Sequence, residues 1–166
     1  TALYLVLGLY HLLIARRNPS LTQFFWFGLF SMTLAGYTFE TSQSKFFLEL
    51  PFVWPKKLEY LLVYILPLLF SKMLLSATRT SENLVTRGFN LVFIVYFVVA
   101  LVAPGIALLT KSLSSFQYTG AAWAVFMAGL MAWRAYQGSR SARGILVLLL
   151  IFIAALVNDI FLETAL

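Results

Sequence analysis

Residues 145–157 are thirteen consecutive apolar residues that run straight into Asn158-Asp159, after which Ile160-Phe161-Leu162 continue the apolar stretch. A helix over this segment has the length of a bilayer crossing. An aspartate inside it carries an insertion cost of roughly 2.5–3.5 kcal/mol. A neutral spacer would avoid that cost, so the sequence implies that something inside the protein holds the pair. Asp159 is also the only aspartate in the chain.

The rest of the chain agrees with a membrane solvent. Apolar residues make up 61% and charged residues only 11%, against about 25% charged in a soluble domain. The apolar residues come in long runs, which excludes a soluble core. At 166 residues there is one domain, 1–166, with room for about six spans of about 20 residues. The expected fold is an all-α polytopic bundle with spans near 2–15, 22–40, 58–78, 88–109, 117–137 and 144–164. Residues 1–15 would rise only about 22 Å as a helix, short of a roughly 30 Å hydrocarbon core. With Thr1 first in place of a methionine, the chain reads as a fragment of a longer protein.

The connections between the runs differ in character. Arg16-Arg17-Asn18-Pro19-Ser20 reads as a tight basic turn in which Pro19 ends one helix and Ser20 starts the next. Residues 41–57 form the longest loop, where Pro51 and Pro55 argue against a continuous helix and Phe46, Phe47, Phe52 and Trp54 suit the headgroup level. Pro104-Gly105 is placed near the outer end of the fourth span, and a short 110–116 connection carries Lys111. Basic residues concentrate on one side. Connections one, three and five carry eight Lys or Arg, and connections two and four carry four. The positive-inside rule then puts the odd connections in the cytoplasm and both chain ends outside. Lys72, inside the third run but near its cytoplasmic end, is expected to snorkel to the interface.

This orientation collects Glu40, Lys56, Lys57, Glu59, Asn158, Asp159 and Glu163 in the outer half. A contact between Asp159 and Lys56 or Lys57 would offset much of the insertion cost. The core of the candidate site is Asp159, Asn158, Glu59, Lys57, Lys56 and Glu40. It reads either as a polar pocket for a small-molecule ligand or as glue that fixes helix packing. In the fifth span Gly120, Ala124, Ala128 and Ala132 fall on one face, where small residues favour close packing and, less simply, a homodimer. His11, the sole histidine, reads as a hydrogen-bonded packing residue.

Several chemistries are excluded or disfavoured. With no cysteine and one histidine, thiolate metal sites and a bis-histidine haem cannot be built within one chain. An intramembrane aspartyl protease needs two aspartates. No glycine-rich phosphate loop or metal-ligand pair is present. The segment is therefore expected to be non-enzymatic, without cofactor or metal. The net charge of +6 sits at the ends of apolar runs and orients the protein; it does not point to nucleic acid.

Four stretches carry a resemblance. They are Gly8-Leu9-Tyr10-His11-Leu12-Leu13-Ile14 with Arg16-Arg17, then Phe24-Phe25-Trp26-Phe27-Gly28-Leu29-Phe30, Lys57-Leu58-Glu59-Tyr60-Leu61, and Asn158-Asp159-Ile160. Together they resemble the first, second, third and sixth helices of the bacterial seven-transmembrane receptors with diverse intracellular signalling modules. The resemblance implies the membrane domain of a sensor in the bacterial inner membrane, coupled to a cytoplasmic output domain such as a kinase, cyclase or phosphatase. An extracellular sensor domain often precedes such domains. The chain departs from that pattern in lacking a seventh span, and six spans leave its end outside, so a cytoplasmic output needs one more crossing. Two other classes fit less well. A small transporter or channel needs a continuous polar path, whereas these spans are nearly dry between the outer cluster and the inner turns. A purely structural anchor that dimerises an enzyme is the third.

Overall fold

The computed structural model describes residues 1–42 and 53–164, with the side chains of 152 and 155–164 left out of the description. Six helices follow one another: α1 (Ala2–Arg17), α2 (Thr22–Thr41), α3 (Val53–Ala77), α4 (Leu84–Val102), α5 (Ile106–Tyr136) and α6 (Arg140–Thr164). The protein is an all-α helical bundle, as its apolar runs require. By contacts the chain divides into two compact units, Thr1–Ser114 and Ser115–Leu166.

In the first unit each helix packs on the next, α1 on α2, α2 on α3 and α3 on α4. The surfaces turned away from these contacts are apolar. Leu3, Val6 and Leu13 of α1 and Leu91, Val95, Leu101 and Val102 of α4 are all more than half exposed. In water such a surface would aggregate; against acyl chains it is the expected exterior. Among the described residues, α3 and α4 are each long and apolar enough to cross a membrane by themselves.

Helices α1 and α2 approach at two glycines. A Cβ on Gly28 would stand 2.7 Å from Leu12 Cγ and 3.0 Å from the Gly8 carbonyl oxygen. A Cβ on Gly8 would stand 2.6 Å from Met32 Cγ and 3.0 Å from the Gly28 carbonyl oxygen. Only glycine at both positions lets the two backbones meet this closely. His11 completes the seam. Its Nδ1 lies 2.7 Å from the Leu7 carbonyl oxygen one turn back, and its ring packs on Phe27 at 4.4 Å and Phe24 at 5.6 Å between centroids. That is the packing arrangement its sequence position suggested.

Several boundaries differ from the sequence expectation. Ser20 does not cap α2; its hydroxyl donates to Asn18 Oδ1 at 2.6 Å, and the N-cap position falls on Leu21. Helix α3 already covers Val53–Lys57, ahead of the start expected near residue 58. Helix α4 begins at Leu84, since Asn83 Oδ1 accepts from both the N–H and the hydroxyl of Thr86 at 2.8 Å. It stops at Val102, so Pro104-Gly105 forms the corner between α4 and α5 and is not a kink within a span. The expected connection at 110–116 is helical. Its Ser, Thr and Lys residues lack the proline or glycine that stops a helix, and α5 runs unbroken for 31 residues.

The second unit holds the remainder of α5, the turn after Tyr136, and α6. Gly138 ends α5 with φ +94°. Its N–H donates to the Ala135 carbonyl and that of Ser139 to the Arg134 carbonyl, both at 3.1 Å. This paired closure satisfies two carbonyls at the helix end. Ser139 then starts α6, its hydroxyl accepting from the Ala142 N–H at 3.3 Å. Buried residues here include Trp123, Met127, Met131 and Leu149. The small-residue stripe of α5 is not a uniform seam. Ala124 is buried and Ala132 exposed, and a Cβ on Gly120 would meet no described atom within 4 Å.

Candidate functional site: the two ends of the third helix

Helix α3 has polar side chains near both ends and aromatic hydroxyls between, and each group ties it to a neighbour. At the end that the loop charges assign to the exterior, Lys56 Nζ donates to both carboxylate oxygens of Glu59 at 3.0 Å. The i,i+3 spacing places the two on one face. Tyr37, on the last turns of α2, lies within electrostatic reach of this pair. Glu40, one turn further along α2, is 4% exposed. Tyr37 thus brings the last turns of α2 to the start of α3.

Lys57 points elsewhere. Its Nζ donates to the Ala103 carbonyl at 3.0 Å, the residue that ends α4. Carbonyls at a helix C-terminus lack intrahelical donors and carry partial negative charge, so an ammonium there is favourable by about 0.3–1 kcal/mol. Lys57 therefore fixes the start of α3 to the α4–α5 corner. The cleft it lines with Val53, Trp54 and residues 103–106 encloses only about 80 Å³. Small-molecule pockets occupy about 300–1,000 Å³, so this cleft is a seam between helices. The partner expected for Asp159, either Lys56 or Lys57, concerns a side chain outside the described ones. So do Asn158 and Glu163, which share α6 with it.

One and two turns inward, two tyrosines extend the tie to α5. The Tyr60 hydroxyl is 3.4 Å from the Thr110 hydroxyl. Tyr64 is fully buried, with its hydroxyl 2.7 Å from the Ser112 hydroxyl and 3.3 Å from the Leu109 carbonyl oxygen. Tyr60 belongs to the stretch that carries the family resemblance, whereas Tyr64 did not stand out in the sequence, because aromatic residues are common in membrane helices. The signal was available in their i,i+4 spacing on the same helix as the charged pair.

The other end of α3 holds a second cluster that sequence reasoning missed. Lys72 forms an ion pair with Glu82, in the turn before α4, and its ammonium lies 5.9 Å from the centroid of Trp26 on α2. Asn90 of α4 donates to the same Glu82 at 3.5 Å. Lys72 is thus paired with the α3–α4 turn, whereas the sequence suggested snorkelling. Asn90 was the available clue: Tyr96 aside, it is the sole polar side chain between Arg87 and Pro104. The Asn90 side-chain oxygen and the Ser71 hydroxyl are buried without a hydrogen-bond partner among the described residues. Unsatisfied groups of this kind cost on the order of 1–3 kcal/mol each, so this end is not at its electrostatic optimum.

The closure of α3 carries a further cost. The Thr80 N–H donates to the Leu75 carbonyl at 2.8 Å and the Arg79 N–H to the Ser76 carbonyl at 3.2 Å. This is the same paired closure as at Gly138, yet here an arginine takes the left-handed position, with φ +51°. Pro67, midway between the two polar ends, removes one backbone donor from the helix. Among the described residues no group of three or more His, Cys, Asp or Glu is arranged to hold a metal ion. The arrangement is one of interhelical ties, with a strained backbone position at one end.

Comparison with known families fits this architecture. The family model for 7TM diverse intracellular signalling matches residues 1–166. The chain belongs to that family: it is a membrane-embedded signalling domain, as the four sequence stretches had suggested. No curated protein and no solved structure shows significant similarity to it.

Proposed function

We propose that residues 1–166 form the membrane sensor domain of a bacterial signal-transduction protein, crossing the inner membrane several times. It receives an extracellular or membrane signal and relays it to a cytoplasmic output domain, and the segment itself carries out no chemistry. The signal enters through the outer polar residues Glu40, Lys56, Lys57 and Glu59, and Asn158 and Asp159 serve the same input. A small-molecule ligand or an extracellular sensor domain acts on that group.

The observation that carries this reading is the double anchoring of α3. Its outer end is tied through Lys57, Tyr60 and Tyr64 to the α4–α5 corner and the first turns of α5. Its inner end is tied through Lys72 to Glu82. A ligand shifts an equilibrium only by its differential affinity for two states. A helix whose two ends each hold exchangeable polar partners provides such states, and packed helices move by small discrete steps. Glu82, shared by Lys72 and Asn90, is the contact whose partner would change at the inner end.

The test uses the full-length protein in membranes, with output activity as the readout. Asp159→Leu should lock the output in one state, and Asp159→Asn should weaken the response by several-fold. Expression at wild-type level with a wild-type response in both variants would remove Asp159 from the input group.

A further inference from the structure

At the turn between α1 and α2, opposite in character to the 80 Å³ seam beside Lys57, a groove of about 500 Å³ opens. Its walls are Leu12 and Ala15 of α1, Leu21 of the turn, and Phe25 and Trp26 of α2, and Arg16 is its one charged lining residue. Phe25 is 42% exposed. Arg16 and Arg17 form the last turn of α1, and among the described residues neither guanidinium has an ion-pair or hydrogen-bond partner. No carboxylate occurs in the sequence before Glu40, so the chain itself offers these arginines nothing nearby.

We propose that this groove binds one anionic phospholipid. An acyl chain lies along Leu12, Ala15, Leu21 and Phe25, and the phosphate meets Arg16, with Arg17 adding to the local positive charge. The inference rests on α1 and α2 crossing the bilayer, because a helix end then sits at headgroup depth. At that depth a phosphate is the abundant anion, and guanidinium matches it in two parallel hydrogen bonds. The volume falls within the range of small-molecule sites, and the pairing of an apolar trough with an unpaired cation matches a lipid's two chemistries. An acidic protein segment would satisfy the arginines but leave the trough empty. The bound lipid would also touch Trp26, whose ring faces Lys72, so occupancy of the groove reaches the inner end of α3.

The experiment is native mass spectrometry of the full-length protein titrated with phosphatidylglycerol or with phosphatidylcholine of the same chains. Wild-type protein should retain one phosphatidylglycerol at a concentration at least fivefold lower than that needed for phosphatidylcholine. Arg16→Gln/Arg17→Gln should abolish that preference, while Arg140→Gln/Arg143→Gln, at the α5–α6 turn, should keep it. Equal retention of the two lipids by wild-type protein would overturn the proposal without recourse to any variant. So would competition by water-soluble glycerophosphoglycerol as effective as the whole lipid, or a second protein copy displacing lipid from the groove. The spanning premise is checked separately. The chain has no cysteine, so Ser20→Cys should react with an impermeant maleimide from one membrane face only. Labelling from neither face would sink the premise and the lipid site together; one-sided labelling with no lipid preference would sink the lipid site alone.

Discussion

The seam between α1 and α2 and the seams of α3 are built on opposite principles. The first is closed by shape: Gly8 and Gly28 leave no room for a single added carbon, and His11 bonds within its own helix. The second adds to apolar packing, such as Phe30 on Phe70 at 5.2 Å, polar contacts that have alternatives. Lys57 holds a backbone carbonyl, the Tyr64 hydroxyl lies within reach of both the Ser112 hydroxyl and the Leu109 carbonyl, and Glu82 serves both Lys72 and Asn90. Close-packed backbones have one arrangement, because interiors at crystal density do not deform continuously. Hydrogen-bonded ties can trade partners at small net cost, since a typical bond contributes only about 0.5–1.5 kcal/mol. Under the proposed function, α1–α2 serves as the platform and α3 as the element that moves against it.

Gly28→Leu should break the platform and have the largest effect. The new side chain must displace Leu12 and the Gly8 carbonyl, and overpacking of this kind costs about 3 kcal/mol. The protein should lose most of its thermal stability in detergent, measured by fluorescence-detected size exclusion. A melting temperature unchanged from wild type would mean that the α1–α2 crossing is not the rigid element.

Tyr64→Phe should be milder, although the residue is fully buried. Ser112 retains its own bond to the Leu109 carbonyl at 2.9 Å, so no buried donor is orphaned and the loss should be about 1 kcal/mol. A loss as large as that of Gly28→Leu would place α3 in the same class of rigid contact and erase the distinction.

Arg79→Gly should have the smallest effect on stability, with the opposite sign. A left-handed residue with a side chain costs roughly 1–2 kcal/mol relative to an unstrained backbone. Glycine removes most of that but loses about 0.5–1 kcal/mol more conformational entropy on folding, leaving a net gain of about 0.5 kcal/mol. The melting temperature should rise slightly. A fall would mean that the arginine side chain contributes more at this turn than its backbone strain costs.

How much of this was legible in the sequence depended on the scale of the signal. Long apolar runs and sparse charges were sufficient for the six helices, and short motifs around Gly8, Trp26, Lys57 and Asp159 were sufficient for the family. Boundaries failed where polar composition was read as a turn. Residues 110–116 look like a loop but contain no helix breaker, whereas Pro104-Gly105 does break the chain. Gly8 and Gly28 lie on different helices, and no periodicity connects them, so the closest backbone approach was invisible while the regular stripe of α5 drew attention. The outer charged residues were recognisable because they cluster in sequence at 56–59. Lys72, Glu82 and Asn90 are spread over three elements and become a cluster only when α3 and α4 pack. Asp159, the most conspicuous residue of the sequence, lies on α6 with its side chain outside the described residues.

The central claim is that α3 links events at its two polar ends. The most direct measurement is a double-mutant cycle on the full-length protein in membranes, comparing Lys57→Met, Lys72→Met and the double variant by signalling output at saturating and zero stimulus. If α3 couples its ends, each single variant shifts the output, and the double variant departs by at least threefold from the product of the single effects. Single effects that simply multiply, or variants that all signal as wild type does, would contradict the account.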